Sequence, residues 1–183
     1  MTGAAPAADP VCAPSQGLAE TGLAETGFAA DGLVETGLAG IGLANFAPYL
    51  MNRIMGRYNA ALRGEMATLG LTTPKMRALA VLSVTDGLLI GELAVYGVVE
   101  QSTLSRALDQ LGGDGLIRRE VDSSDSRATR VFITGAGRRV FEALWPHIAR
   151  SYAAMLHGIG EDERRAFVVP LQKILRNIRQ HDF

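Results

Sequence analysis

The chain has 183 residues, with 18 Lys and Arg against 19 Asp and Glu, three His, one Cys and a formal charge of −1, which suits one soluble domain with an appendage. Cys12 alone cannot close an internal disulfide, and with three scattered His it cannot complete the ligand set of a structural zinc site. No basic residue precedes Arg53, which argues against a secretory or transit leader, and the longest uncharged stretch, 36–52, is too short and polar to span a membrane, so the cytoplasm is the expected location.

Residues 1–45 differ from the rest. Their only ionisable side chains besides Cys12 are Asp9, Glu20, Glu25, Asp31 and Glu35, which leaves 18 basic against 14 acidic residues in 46–183, a charge of +4. The near-neutral total is an average over an acidic tail and a basic body. The tail repeats Gly17-Leu-Ala-Glu-Thr with a period of five through Gly22, Gly27, Gly32, Gly37 and Gly42. On an α-helix that period turns each apolar position by roughly 140°, so Leu18, Leu23, Phe28 and Leu33 spiral instead of forming a stripe. Each Gly adds a penalty of about 1 kcal/mol. The tail is therefore expected to be disordered and not a stable amphipathic helix; a short pentapeptide-repeat coil and an extended translation start ahead of Met51 or Met55 are the other readings.

From Phe46 the pattern turns helical, with Phe46, Leu50, Ile54, Tyr58 and Leu62 at a spacing of four, and predicts a first long helix over 46–64. Thr73-Pro74 predicts the next start, an N-cap Thr followed by Pro at the first helical position, and Asp86-Gly87 ends that helix. Ile90 to Tyr96 and Glu100 to Leu111 read as two short helices around Gly97, the spacing of a helix-turn-helix. After Gly112-Gly-Asp-Gly115, residues 116–121 and 129–133 read as strands joined by a polar loop, a wing. Thr134 is placed to cap a helix whose stripe runs Val140, Phe141, Leu144, Ile148, Tyr152 and Met155, with a kink expected at Pro146. A last helix opens on Glu161-Asp-Glu163, favourable at the positive end of the helix dipole, and carries Phe167, Leu171, Ile174, Leu175 and Ile178. The long helices have more apolar surface than the small centre has room to cover, so part of it is expected to face a second copy of the chain.

Three blocks in this order and spacing are Gln101-Ser-Thr-Leu-Ser-Arg-Ala-Leu-Asp-Gln-Leu-Gly-Gly-Asp-Gly-Leu-Ile-Arg-Arg119, Asp125-Ser-Arg127 and Ile133-Thr-Gly-Ala-Gly137. Together they resemble the MarR family of winged helix-turn-helix transcriptional regulators, over essentially 46–183. The resemblance implies a mainly α fold with a small two- to three-stranded β wing: a winged helix over about 73–134, and long N- and C-terminal dimerisation helices over about 46–64 and 135–181. It makes the first block the recognition helix and the start of the wing, Asp125-Ser-Arg127 the wing tip, and the third block the opening of the helix leading to the dimer interface. The implied function is a cytoplasmic repressor that binds double-stranded DNA at a pseudo-palindromic operator as a homodimer.

The chemistry of the residues points to the same site. Gln101, Ser102, Thr103, Ser105 and Arg106 offer small hydrogen-bonding groups and one guanidinium to base edges in a major groove about 12 Å wide, with free helix amides that favour phosphate. Leu104, Leu108 and Leu111 turn inward. By the resemblance, Arg106 and Arg127 carry the binding, Arg127 entering the minor groove with Asp125 orienting its guanidinium. Arg118, Arg119 and Arg130 line the wing as candidate phosphate contacts, though arginines in a hairpin also serve simply as a solvated face.

Many relatives bind a small, often anionic aromatic effector between the dimer helices and the winged domain. Tyr49, Arg53, Tyr58 and His147 have suitable chemistry, although residues of these types are more often ordinary core or interface, and the effector stays unassigned. No metal or cofactor is expected, and no catalytic constellation occurs: His147, His157 and His181 lie at no ligand spacing, and neither Gly-x-Ser-x-Gly nor a phosphate loop is present. A redox sensor built on Cys12 is disfavoured, because that thiol lies far ahead of the first helix of the body. The remaining alternative is a winged-helix protein-interaction module with only non-specific DNA affinity.

Overall fold

The computed structural model describes residues 30–178, which divide into two compact units between Arg57 and Tyr58. In the first, α1 (Ala30–Ile41) leads through a 3₁₀ turn (Leu43–Asn45) into the first part of α2 (Ala47–Thr68). A helix over the end of the repeat corrects the expectation that glycines and a five-residue period would prevent one. The backbone nevertheless leaves helical geometry at Gly37, with φ 63° and ψ 171°, a conformation glycine adopts without a Cβ clash. Val34 and Leu38 remain exposed. The disorder expected of residues 1–29 lies outside the described residues.

In the second unit, α2 carries Leu62 and Met66 into the core and runs to Thr68, past the expected end at 64. A turn closed by the Leu71 amide on the Met66 carbonyl (2.8 Å) leads to α3 (Thr73–Val84). Here the cap lies one residue earlier than expected. Thr72 is the N-cap, with no side-chain bond, and Thr73 and Pro74 are both helical. Proline fits because an amide there would have no helical partner.

Then follow β1 (Leu88–Leu89), α4 (Ile90–Gly97), α5 (Gln101–Gly113), β2 (Ile117–Val121) and β3 (Thr129–Ile133). The strands form one antiparallel sheet in the order β1-β3-β2, with Leu88 opposite Val131 and Ile117 opposite Ile133. A two-residue strand has no period to read, and β1 is held by its surroundings. Asp86 Oδ1 accepts from the amides of Gly87 (3.1 Å) and Ile133 (2.8 Å), joining the end of α3 to β3.

Thr134 caps α6 (Gly135–Met155) as expected, its hydroxyl accepting from the Gly137 amide at 3.1 Å. Gly137 is required by close approach, since a Cβ there would sit 2.2 Å from the Leu116 carbonyl oxygen. The last helix is α7 (Glu161–Ile178); Pro146 and Pro170 lie inside α6 and α7, and neither helix is interrupted.

The core is made by leucines from almost every element: Leu62, Leu79, Leu82, Leu93, Leu104, Leu108, Leu111 and Leu144, with Val131 from the sheet. Each contributes about 1.5–3 kcal/mol on burial. α3 packs on α4, α5, α6 and β3, which fixes the helix-turn-helix against the wing root. No residue of α7 is buried, and Phe167, Leu175 and Ile178, with Trp145 and Tyr152 of α6, remain exposed. The architecture is the expected mainly helical winged helix with a small three-stranded sheet. No helix among the described residues is long and apolar enough to cross a membrane.

Candidate nucleic-acid interface

α5 is amphipathic by sequence. Leu104, Ala107, Leu108 and Leu111 are buried at helical spacing, while Gln101, Ser102, Thr103 and Arg106 are exposed and Ser105 is half-buried. Arg106 makes no ion pair among the described residues. The N-cap is Glu100, whose carboxylate Oε2 accepts from the Thr103 amide (3.1 Å) and from the Ser102 hydroxyl. Those bonds hold its pKa below the ordinary glutamate value, Ser102 contributing most. The expectation of free amides open to phosphate at this helix end is therefore corrected for Thr103: its amide is already taken by a carboxylate of the same chain.

The turn between α4 and α5 is bound from outside. Val98 sits in the left-handed region (φ 51°, ψ 50°), an outlier for a β-branched residue. Arg77 of α3 donates to the Val98 carbonyl at 2.7 Å and the Gly97 carbonyl at 3.4 Å. A strained conformation of this kind costs about 1–3 kcal/mol and persists only where neighbours hold it. At its far end α5 is tied back to α3 by buried Lys75, whose ammonium reaches Asp114 at 3.0 Å.

The wing loop folds around one carboxylate. Asp122, only 6 % exposed, accepts from the Ser124 amide (2.9 Å) and hydroxyl, the Asp125 amide (3.0 Å) and the Arg130 guanidinium. These bonds, led by those from Ser124, hold its carboxyl far below the usual carboxylate range. Asp125 in turn accepts from the Arg127 amide (2.9 Å) and Nε (3.3 Å), while the Arg127 side chain is 91 % exposed. Asp125 thus orients the Arg127 guanidinium while leaving most of it open.

The other wing arginines are engaged by protein partners. Arg118 pairs with Glu120 and lies 4.1 Å from the Phe132 ring centroid, and Arg119 reaches Asp109 of α5 at 2.9 Å. Exposed pairs of this kind contribute about 0–1 kcal/mol, so a phosphate could displace either partner. Arg130 differs. It joins the buried Asp122 to the Gly87 carbonyl (2.8 Å) and braces the wing. A groove of about 1090 Å³ lies between α4, the first turn of α5 and the wing tip, lined in part by Val95, Val98, Glu100, Gln101, Ser105 and Arg127.

The effector candidates have local partners. Arg53 donates to the Tyr49 hydroxyl at 3.0 Å. In the second unit, burial raises the Tyr58 phenol above its ordinary pKa, and His147 Nδ1 lies 3.2 Å from Glu65 Oε1 and 2.9 Å from Arg150 Nη2. Glu100, Arg77 and Asp122 were not singled out by sequence reasoning. Asp122, two residues before Ser124 in a polar loop, carried a readable turn signal; Arg77 carried none, since its partners lie 20 and 21 residues away in the chain.

Comparison with known proteins agrees with the fold. The sequence pattern of the MarR family matches residues 69–128, from the turn after α2 into the wing loop. The chain is similar to a solved MarR family transcriptional regulator from Silicibacter pomeroyi, at 60% identity over 80% of this chain and 99% of that one, with a TM-score of 0.77. It is similar at 31% identity to a second, from Silicibacter pomeroyi DSS, over 78% of this chain and 94% of that one, with a TM-score of 0.70. The fold is also that of Bordetella bronchiseptica BpsR, whose DNA binding is regulated by 6-hydroxynicotinic acid, at 22% identity over 69% and 96% of the two chains and a TM-score of 0.61.

Proposed function

The chain belongs to the MarR family of transcriptional regulators, and from that premise we propose that it binds a pseudo-palindromic operator as a homodimer, with the polar face of α5 in the major groove and Arg127 in the adjoining minor groove. The observation that carries this reading is the pairing of a rigid, leucine-backed helix face with an arginine that stands open at the end of an internally bonded loop. The first supplies hydrogen-bonding groups for base edges and the second a cation for the narrow, electronegative minor groove. Gln101, Ser102, Thr103, Ser105 and Arg106 face the bases, Asp125 orients Arg127, and Arg118 and Arg119 exchange their surface carboxylates for phosphates. Arg130 supports the wing from behind.

Dimerisation follows from the exposed apolar residues of α6 and α7, which are too many for a solvated surface. A dimer reads two half-sites about 34–36 Å apart on one face of the duplex. It represses by occupying the DNA it covers. Release by a small anionic aromatic effector is supported by the regulation of BpsR, and within the second unit Tyr58 and His147 are the residues offered for it.

Selection of bound fragments from random duplex DNA, with the mass of the protein measured by light scattering, tests the reading. An enriched inverted repeat and a dimeric mass at micromolar concentration are expected. A monomer, or no enriched sequence, would overturn it and favour a protein-interaction module with only non-specific DNA affinity.

A further inference from the structure

The residue at the head of the DNA-reading helix is an acid, in a protein whose DNA face should be basic. Glu100 is exposed and lines the same groove as Gln101, Ser105 and Arg127. The Thr103 amide and the Ser102 hydroxyl both donate to Oε2, so the carboxylate is held in one orientation at the rim of that groove.

A fixed carboxylate there cannot face phosphate, guanine O6 and N7, or thymine O4, all of which are acceptors. The donors in the major groove are the exocyclic amino groups, and of these the cytosine N4 amino has an acceptor, guanine O6, on one side only, whereas the adenine N6 amino lies between two, its own N7 and thymine O4.

We propose that Glu100 is a specificity-determining residue, its oriented carboxylate accepting a hydrogen bond from a cytosine N4 amino group in each operator half-site while repelling phosphate from that end of α5. The assignment rests on the operator-binding reading above. It implies that the acid lowers non-specific affinity and sharpens the choice of base, since the correct pair satisfies the carboxylate and the wrong ones leave it desolvated against an acceptor.

The test is selection from randomised duplexes with the full-length wild type, Glu100→Gln and Glu100→Ala, together with Glu142→Gln as a control that removes one exposed charge from α6. Thermal melts confirm folding, and should the alanine variant lose its helix cap and melt early, the glutamine variant carries the result.

The wild type and the Glu142 control are expected to select cytosine at one position per half-site. Glu100→Gln should lose roughly tenfold of that discrimination while binding random DNA more tightly. Replacing the selected C·G pair should then weaken the wild type but scarcely affect Glu100→Gln. If Glu100→Gln keeps every base preference and its affinity rises uniformly, the specificity role is overturned and phosphate exclusion alone remains. A wild type that enriches no sequence overturns the operator reading itself, and the assignment falls with it.

Discussion

Helix α5 and the wing face the same groove and are built in opposite ways. α5 is held by apolar burial, with Leu104, Leu108 and Leu111 fully enclosed, and its orientation is set by Arg77 on the turn before it and Lys75 at its end. The wing loop has no apolar support. Its shape depends on one buried carboxylate, Asp122, which gathers two backbone amides, a hydroxyl and Arg130. The helix should therefore lose its geometry only when the domain unfolds, whereas the wing can lose its geometry while the domain stays folded.

Substitutions can break this contrast from either side. The largest effect on stability is expected from Leu108→Ala, which leaves a cavity beneath α5 and should cost about 2–5 kcal/mol. In a denaturant melt the whole second unit should unfold earlier in one transition. Retention of wild-type stability would show that the helix face does not depend on its core.

Arg127→Ala should have the largest effect on DNA binding without touching the fold. Operator affinity is expected to fall by about tenfold or more with the melting temperature and dimer mass unchanged, as read by fluorescence anisotropy and light scattering. Loss of the salt-dependent slope by about one unit should accompany it if the guanidinium neutralises a phosphate as well. Unaltered affinity would remove the wing from the interface.

A smaller and more local change is expected from Asp122→Asn. The amide side chain keeps the size but cannot accept from Arg130 and the loop donors as an anion does, so protease cleavage within 122–128 should quicken while the global melt shifts little. Acid provides the same test without mutation. Because the folded carboxyl titrates below its unfolded value near 3.9, its contribution is present above about pH 4 and lost only as the pH falls through the lower folded value. Amide resonances of Ser124 and Asp125 should hold their positions down to pH 4, and earlier movement would show that the carboxylate is not the anchor.

The smallest expected effect concerns the turn. Val98→Gly relieves a left-handed valine, offset in part by the greater freedom of glycine in the unfolded chain, and should raise stability by up to about 1 kcal/mol. If operator binding weakens at the same time, the strained turn is part of how α5 is aimed.

Much of this architecture was legible locally. The leucine spacing of α5, the Thr134 cap, the strand pair of the wing and the Asp125-Arg127 pair all involve residues a few positions apart, where helical period, cap chemistry and hairpin composition act directly. The same patterns misjudged α1, because penalties summed over a repeat did not anticipate one helix broken at Gly37. They also put the α3 cap one residue late, since Thr72 and Thr73 are equivalent by type.

What the sequence determined by itself was the order of elements and the inward face of each helix, while the family resemblance added the candidacy of Arg106 and Arg127. Tertiary structure alone decided which charges are committed elsewhere. Arg119 meets Asp109 across the helix-to-strand junction, Arg130 meets Asp122 across the wing, Arg77 reaches the turn from another helix, and Asp86 binds the amide of Ile133. Periodicity reports the face on which a side chain lies. The partner it meets there is set by the packing of elements distant in the chain, and that pairing separates an arginine left open to solvent from one that holds the protein together.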